Sequence, residues 1–364
     1  MPYRYLFATM IGDRTIAEVP LRDVSYGWGL NGPTDWTAKL PLSAELIRTV
    51  DPQAATTPAA VALWIERDGE LAYGGPLWAR RYRSASGELD LGGSDWLSYF
   101  DHRYLSANRN YGGMTSAAIV EDLVDYLASF TGWPGIDLDL SRAVGTPTAD
   151  ADLRYDASEL REVGRILSEL SDAGGFDYGL ETGWTGNRRA KRLALYYPER
   201  GRRFTDTRLV LEHPGSIIAY TEPEDGTDVA TDLFVLGAGE GSEAIRARRT
   251  REQAHTDGYP RLNRSWSYTD LTSQSEVDRL ADTAEATYSR PTVDVDLEVD
   301  PDAVPHLGAY TPGDEVEYRI EDLRHPRGFA ARQRIASIEV SPPQDDSPER
   351  VTLKLSGPRT VLPR

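Results

Sequence analysis

The chain has 364 residues, of which 40% are hydrophobic, enough for two or three domains with cores of their own. Its formal net charge of −18 argues against DNA binding as the main activity, because neutralising phosphates requires basic surface. The sequence contains no cysteine, which excludes disulfides, thiolate catalysis and cysteine-based zinc sites. It also has no run of 18 apolar residues, so it predicts no membrane-spanning helix.

Residues 1–112 have the pattern of a first, all-β domain, with short apolar runs separated by Gly, Pro, Asp and Asn clusters. The strongest pattern is a hairpin at residues 60–82, where apolar and polar residues alternate on both sides of Asp68 and Gly69. An Asp-Gly pair accepts the positive φ angles of a two-residue turn, so we predict two strands joined there. Five tryptophans predict an aromatic core for this domain: Trp28, Trp36, Trp64, Trp78 and Trp96.

Residues 113–235 are predicted to form an α+β middle domain. Apolar residues recur at helical spacing over residues 115–130 and again over residues 156–173. Asp156 and Glu159 resemble a capping box at the start of the second helix. Strands are expected after this helix.

Residues 236–290 are predicted to be a linking region that contains a charged segment and a third helix at residues 274–289. Ser273 and Glu276 are placed to cap this helix. The charged segment follows Gly241 and is expected to form an exposed loop or strand pair. Its arginines are therefore candidate interface residues: Arg246, Arg248, Arg249 and Arg251.

Residues 291–364 have the pattern of a C-terminal β meander or barrel. One predicted strand alternates acidic and apolar residues, so four acidic side chains share one face: Asp294, Asp296, Glu298 and Asp300. Such a row of carboxylates could bind calcium or a basic partner. The preferred interpretation is a solvent-exposed outer face. Pro312 and Gly313 predict a tight turn, because proline fixes φ and glycine accepts the left-handed position.

No motif in the chain points to a catalytic, cofactor or metal site. The run from Gly237 to Gly241 lacks the third glycine of a dinucleotide fingerprint, since Ser242 occupies that position, and Glu240 would repel a pyrophosphate. The five histidines lack metal-ligand spacing, and no G-x-S-x-G elbow is present. We therefore predict no enzyme, cofactor or metal. Four aromatic residues near loops could stack on sugars, although packing roles are commoner: Tyr178, Trp184, Tyr259 and Trp266.

Two stretches resemble tail hub proteins of long-tailed actinobacteriophages, also called baseplate hub or minor tail proteins. Residues 62–105 resemble the hairpin of their first domain and the W-L-S-Y-F segment that follows it. Residues 307–355 are similar to their C-terminal barrel domain, with its Pro-Gly-Asp turn and closing V-x-L-x-L strand. The order and combination of these motifs carry the resemblance, which covers nearly the whole chain.

The resemblance implies a mainly β fold with α+β insertions, in which two barrel-like domains flank a smaller middle region. It also implies a homotrimeric ring at the tail tip of a virion, made in the host cytoplasm. Such a ring surrounds the channel of the tape measure protein, through which DNA later passes, and contacts the distal tail protein and the tail fibre or tip proteins. The turn at Asp68 and Gly69 is then expected to touch a neighbouring subunit.

Two alternative functions remain open at the level of sequence. Within the same virion, a distal tail protein is the nearest alternative, although the two middle helices fit a hub better. From another class, the alternative is a carbohydrate-binding or carbohydrate-active β protein, because the 58 acidic residues could include a glycosidase pair.

Overall fold

The computed structural model describes residues 2–128, 135–140, 145, 150–239, 241, 244–268, 271–289 and 291–362. The chain divides into two compact units, Met1–Tyr220 with Leu297–Arg364 and, separately, Thr221–Asp296. The four-domain division of the sequence stays a prediction. No helix in the described part of the chain is long and apolar enough to cross a membrane.

The first part of the chain consists mainly of strands. These are β1 (Tyr3–Thr9), β2 (Thr15–Glu18), β3 (Arg22–Gly29), β4 (Asp35–Pro41), β5 (Val61–Arg67), β6 (Glu70–Arg83), β7 (Glu88–Ser94), β8 (Tyr104–Leu105) and β9 (Arg109–Thr115). Three short helices lie between them: α1 (Ala44–Thr49), α2 (Pro52–Ala55) and α3 (Ser98–Asp101).

The middle part of the chain adds two longer helices and more strands. The helices are α4 (Ser116–Ala128), α5 (Val163–Gly174) and the short α6 (Phe204–Thr207). The strands are β10 (Asp139–Leu140), β11 (Asp150–Tyr155), β12 (Arg161–Glu162), β13 (Asp177–Thr185), β14 (Arg188–Tyr196), β15 (Val210–His213), β16 (Ile217–Thr221) and β17 (Glu224–Asp225).

The remaining elements include one more helix, α7 (Gln274–Tyr288). The strands are β18 (Asp232–Leu236), β19 (Arg246–Thr250), β20 (Asn263–Ser267), β21 (Thr292–Val293), β22 (Val295–Val299), β23 (Glu315–Ile320), β24 (Phe329–Ser341) and β25 (Arg350–Val361).

One large sheet connects the early and the late strands. Its order is β16-β22-β25-β24-β3-β4-β7-β6-β5-β1-β2, with β23 attached to β24 and β15 to β23. Strand β3 pairs antiparallel with β24, with Tyr26 opposite Val340 and Gly29 opposite Ser337. The predicted first and last β regions are therefore parts of one hydrogen-bonded sheet. The prediction of a mainly β fold with α+β insertions is confirmed.

The sequence pattern does not predict strand β3, because Gly27 and Gly29 interrupt its apolar residues. The structure gives the physical reason for Gly27. A Cβ atom at this position would lie 2.2 Å from the carbonyl oxygen of Ile338 on β24. A glycine inside a strand often indicates such a close approach of another backbone segment. Gly27 therefore weakens the strand pattern in the sequence but allows β3 to pair with β24.

The predicted hairpin and aromatic core are confirmed. Strands β5 and β6 meet at Asp68 (φ +55°) and Gly69 (φ +85°), the two positive φ angles that this turn requires. Three of the five tryptophans are almost fully buried, and the other two are half-buried: Trp36, Trp64 and Trp96, then Trp28 and Trp78. The hairpin thus presents its exposed turn on a rigid, well-packed base.

The helix predicted at residues 156–173 begins later than expected. The Asp156 carboxylate accepts a hydrogen bond from the Ser158 backbone N–H at 2.8 Å, but this caps a single 3₁₀ turn. Leu160 then takes a left-handed conformation, with φ +46°, which no α-helix can continue. Helix α5 therefore starts at Val163, and the predicted start was wrong.

The other two predicted helices are present. Helix α4 lies within the predicted range 115–130, whose last two residues fall outside the described part of the chain. Helix α7 ends one residue before the predicted boundary. The predicted capping bond of Ser273 is absent, because its hydroxyl is 2.8 Å from the Ser275 hydroxyl and does not reach the helix backbone.

The smaller unit contains a three-stranded sheet, covered by helix α7, and the short antiparallel pair of β17 and β21. Strand β18 lies in the centre, antiparallel to β19 and parallel to β20. Four buried residues form the contact between sheet and helix: Val235, Ala247, Val277 and Ala281. The charged segment therefore contains a paired strand, one of the two forms that the sequence predicts.

Candidate interaction surfaces

The base of the exposed hairpin turn is fixed to the C-terminal part of the chain. The Arg67 guanidinium donates two hydrogen bonds to the Glu349 carboxylate, at 3.0 and 2.7 Å, and the Tyr3 hydroxyl donates a third. Burial raises the pKa of Glu349, but the bonds from Arg67 and Tyr3 outweigh it and hold the pKa below its usual value. Asp68 and Gly69 lie beyond this anchor and are exposed. Their predicted interface role stays a prediction.

A buried carboxylate joins three distant segments. Asp177, at the start of β13, accepts hydrogen bonds from the Asn31 amide and the Arg200 backbone N–H, both at 2.7 Å, and from the Arg334 guanidinium. Asn31 in turn accepts from the Tyr178 backbone N–H at 2.8 Å. The middle region is thereby fixed to both the early and the late strands of the sheet. We call this cluster the Asp177 junction.

The Pro-Gly-Asp turn forms a second buried junction. Asp314 is fully buried and accepts hydrogen bonds from the Arg202 backbone N–H at 2.8 Å, from the Arg202 side chain at 2.5 and 3.0 Å, and from the Thr311 N–H at 3.0 Å. Gly313 has φ +99°, and a Cβ there would lie 2.4 Å from the Arg200 carbonyl oxygen. The motif therefore holds the loop before α6 and also turns the chain.

Two of the four candidate arginines, Arg248 and Arg249, pair with carboxylates of β18 and α7 in the smaller unit. Arg248 donates two hydrogen bonds to buried Asp232, at 2.6 and 2.7 Å, and Arg261 donates two more, at 3.1 and 2.5 Å. These bonds, chiefly those from Arg248, lower the pKa of Asp232 far below its usual value. Arg249 bonds to Asp282 on helix α7 at 2.6 Å.

The other two candidate arginines differ from each other. Arg251 is mostly covered and bonds to Asp257 and, at 2.6 Å, to the Ser289 carbonyl. Arg246 is exposed, and no ion pair involves it in the described part of the chain. Arg246 is therefore the one of the four whose guanidinium is most available to a partner. The interface role of all four stays a prediction.

The candidate sugar-stacking residues occupy different environments. Tyr178 is buried, and its hydroxyl donates to the Asn31 carbonyl at 2.6 Å. Trp266 packs on Tyr288, with ring centroids 5.0 Å apart, and Tyr259 lies against Arg251. Trp184 on β13 is 38% exposed. Of the four, only Trp184 presents a large aromatic surface to solvent.

The glycine run and the acidic strand have structural roles. Gly237 donates its N–H to Ile245 at 2.7 Å, which places the run in the connection between β18 and β19. Glu240 and Ser242 lie outside the described residues. In β22, Val295, Leu297 and Val299 are buried and the intervening acids half-buried, as the alternation predicts. Among the described residues no group of three His, Asp or Glu could hold a metal ion.

Asp95 is a buried carboxylate that holds two loops together through hydrogen bonds from uncharged donors. It accepts hydrogen bonds from the Thr34 N–H at 3.0 Å, the Thr34 hydroxyl at 2.9 Å and the Leu97 N–H at 2.8 Å. Burial raises the pKa of Asp95 to about 6, although the bonds from Thr34 act in the opposite direction. The folded protein therefore binds this proton more tightly than the unfolded chain does.

This difference predicts a pH-dependent stability. Since the folded pKa lies above the ordinary value of 3.8, the contribution of Asp95 is most favourable below pH 4 and is lost as the pH rises to about 6. Asp95→Asn removes the titration. We expect the free energy of unfolding of the variant, relative to the parent, to rise by about 2–3 kcal/mol between pH 4 and 6.5. Urea unfolding across this range measures it.

The control is Asp125→Asn, which removes an exposed carboxylate from α4. A difference between the Asp95 variant and the parent that stays constant from pH 4 to 6.5 would contradict the raised pKa. Hydrogen bonds lost in the Asp95 variant change its free energy of unfolding by the same amount at every pH. The raised pKa is therefore tested by how the difference between variant and parent changes with pH.

No family model matches this sequence, and no curated protein matches it. Solved structures do share its fold. A tail protein from Neisseria meningitidis has 12% identity and a TM-score of 0.64, covering 97% of this chain and 96% of that one. The 43 kDa tail protein of prophage MuSo2 from Shewanella oneidensis has 11% identity and a TM-score of 0.67, covering 97% and 98%.

A third similar structure is the prophage tail protein gp18 from Listeria monocytogenes. It has 10% identity and a TM-score of 0.54, and the match covers 96% of this chain and 94% of that one. All three likenesses run almost from end to end, so the order of elements is shared and not only a local motif. The protein therefore has the fold of phage tail proteins.

Proposed function

We propose that the protein is a structural component of a phage-type tail tip, a hub ring that joins the tail tube to fibres or tip proteins. The observation that carries the proposal is the end-to-end fold match with three tail proteins. In this proposal the chain forms a homotrimer in the virion. Its partners are the distal tail protein, the tape measure protein and the fibre or tip proteins.

The internal contacts support a role as a rigid part of an assembly. The Asp177 junction, the Pro-Gly-Asp turn and the Arg67–Glu349 pair each fix segments that are far apart in sequence. A ring subunit must hold its surfaces at fixed angles, because closed symmetry makes every contact repeat. We propose that the protein acts by assembly and without catalysis, since these buried carboxylates serve to join segments.

The negative charge supports passage of DNA through such a ring. With −18 per subunit, an acidic channel wall would repel phosphates and let the genome slide without binding. A three-dimensional reconstruction of the ring tests this part of the proposal. A channel lined by a continuous positive surface would contradict it.

The ring itself is tested by mass. We expect native mass spectrometry to find three copies of the 40.4 kDa chain in each particle, either alone or within a complex with the neighbouring tail proteins. A particle that stays monomeric with its neighbours present would overturn the hub proposal. A closed ring with another number of subunits would overturn the trimer.

Mass measurement of the assembled ring also tests the exposed candidate interface residues Asp68 and Arg246. Asp68→Lys reverses the charge at the turn, whereas Asp68→Asn is the matched control, because asparagine also tolerates a left-handed conformation. Arg246→Glu makes the corresponding change in the smaller unit. We expect Asp68→Lys to raise the dissociation constant of the ring about tenfold or more and Asp68→Asn to leave it nearly unchanged. Equal ring stability in all variants would exclude both positions from the interface.

A further inference from the structure

The three-stranded sheet of the smaller unit has one covered face and one uncovered face. Side chains alternate between the two faces along each strand. Helix α7 covers the face that carries Val235 and Ala247. The uncovered face carries two half-buried apolar residues of β18, two exposed arginines of β19 and two exposed serines of β20: Phe234, Leu236, Arg246, Arg248, Ser265 and Ser267.

Side-chain contacts agree with this assignment of faces. The strand register places Phe234 between Arg248 and Ser265, and the Arg248 guanidinium lies over the Phe234 ring, 5.3 Å from its centre. The next residue of β19, Arg249, bonds instead to Asp282 of α7 at 2.6 Å, on the covered side. The uncovered face therefore has an apolar central strand, with arginines on one side and short hydroxyl side chains on the other.

The uncovered face is positive although the protein is acidic. Asp232 is the one carboxylate in the three strands, and it accepts hydrogen bonds from both Arg248 and Arg261. One carboxylate cannot neutralise two guanidinium groups, and both arginine side chains remain more than half exposed. Arg246 adds a third guanidinium, for which the described part of the chain shows no ion pair. The face thus has a net positive charge on a chain whose charge is −18.

The covered face of the same sheet shows which kind of segment such a surface binds. The apolar residues of α7 pack on the sheet, while Asp278 and Asp282 of the helix pair with Arg249 of β19, at 3.5 and 2.6 Å. An apolar stripe and a row of carboxylates thus hold α7 in place. The uncovered face has the same arrangement, with Phe234 and Leu236 in the centre and arginines on β19.

We propose that the uncovered face binds an acidic amphipathic helix of a partner protein. A sheet buries its apolar face against a second layer, and carboxylates along one side of the helix would meet the β19 arginines. Each strand has five residues and is therefore about 16 Å long, which matches about 11 residues of helix. The short side chains of Ser265 and Ser267 leave room for the helix backbone over β20.

A nucleic acid fits this face less well. Its phosphates require a larger basic surface than three arginines that share one carboxylate. Its bases require open aromatic rings for stacking, whereas the Phe234 ring is partly covered by Arg248. Charge and shape together favour a protein helix.

Fluorescence anisotropy with labelled peptides tests the proposal on the full chain. The probe is a 15-residue peptide with leucine and alanine at helical spacing, glutamates on both flanks and a hydrocarbon staple on its solvent side. We expect a micromolar dissociation constant that rises with salt concentration. An analogue with glutamine in place of glutamate and a scrambled peptide of the same composition should each bind at least about tenfold more weakly.

Variants locate the binding. Arg246→Glu and Phe234→Ser should each weaken the acidic helix about tenfold, and Leu236→Ser serves as a second apolar variant should Phe234→Ser not fold. Arg279→Glu is the matched control, because it makes the same change in net charge at an exposed position of α7 on the other side of the sheet. This control should bind normally.

The proposal is overturned if the acidic helix shows no saturable binding, if the glutamine analogue or the scrambled peptide binds equally, or if Arg279→Glu weakens binding as much as Arg246→Glu. Tighter binding of a 15-nucleotide strand of thymidine would overturn it in favour of nucleic acid. Loss of self-association in Phe234→Ser with unchanged peptide binding would overturn it in favour of a second copy of this chain.

The inference rests on the proposed function only in placing the helical partner within the same tail. Native mass reports the number of chains in the ring, and peptide titration reports the uncovered face. A chain that forms the ring but does not bind the acidic helix contradicts this inference alone, and a monomer that binds the helix contradicts the ring alone.

Discussion

Asp177→Ala is expected to destabilise the larger unit by about 3–5 kcal/mol, because it leaves the charge of Arg334 without its carboxylate partner in a largely buried site. The Asn31 amide and the Arg200 backbone N–H lose their acceptor in the same variant. Chemical unfolding followed by tryptophan fluorescence measures the effect. Because the junction joins three segments, we also expect faster amide exchange in β13, which carries Asp177, and in β24, which carries Arg334.

Two further variants make this test specific. Asp177→Asn keeps one oxygen acceptor and should lose roughly half as much stability as Asp177→Ala. Asp125→Ala removes an exposed carboxylate on α4 and should change stability by less than about 0.5 kcal/mol. If Asp177→Ala unfolds at the same urea concentration as Asp125→Ala, the junction does not hold the segments together.

Gly27→Ala is expected to have a comparable effect through backbone geometry alone. The new methyl group would lie 2.2 Å from the Ile338 carbonyl oxygen and 3.2 Å from the Glu339 Cα, and backbone atoms of a paired strand cannot move aside cheaply. We expect a loss of about 3 kcal/mol or more, or an insoluble product. Hydrogen exchange should show lost protection in β3 and β24 while the β13–β14 hairpin stays protected.

Gly92→Ala is the matched control. Gly92 lies in strand β7 of the same sheet, has no positive φ, and a Cβ there would meet no atom within 4 Å. Alanine should therefore be neutral or stabilise by up to about 1 kcal/mol, because it restricts the unfolded chain. If both glycine variants lose stability equally, the close approach at Gly27 is not the cause.

The sequence predicted correctly those turns and helices whose conformation depends on residues close together in the chain. The Asp68-Gly69 turn needs only its own φ angles, and helix α4 needs only its apolar spacing. The start of α5 was mispredicted because Leu160 takes a left-handed conformation. Glycine and asparagine are the residues that usually indicate this conformation in a sequence, and leucine does not. The resemblance to tail hub proteins predicted the fold class, and the similar solved structures agree with that class.

The junctions and the uncovered sheet face could not be predicted in the same way. Asp177 and Asp314 are acidic residues among 58, and only the fold brings Arg334 and Arg202 to them. The uncovered face depends on the sheet order β19-β18-β20, which differs from the order of these strands in the chain. A detectable sign in the sequence was Gly313, since glycine at a turn also marks close approach of another backbone segment.

The pairing of β3 with β24 has a consequence for synthesis. Roughly 300 residues separate the paired positions, so the ribosome must release most of the chain before the large sheet can be completed. Until then β3 is an unpaired edge, which can join strands of other nascent chains. Slow folding of such non-local sheets makes this interval long, so we expect the chain to depend on chaperones while it is synthesised.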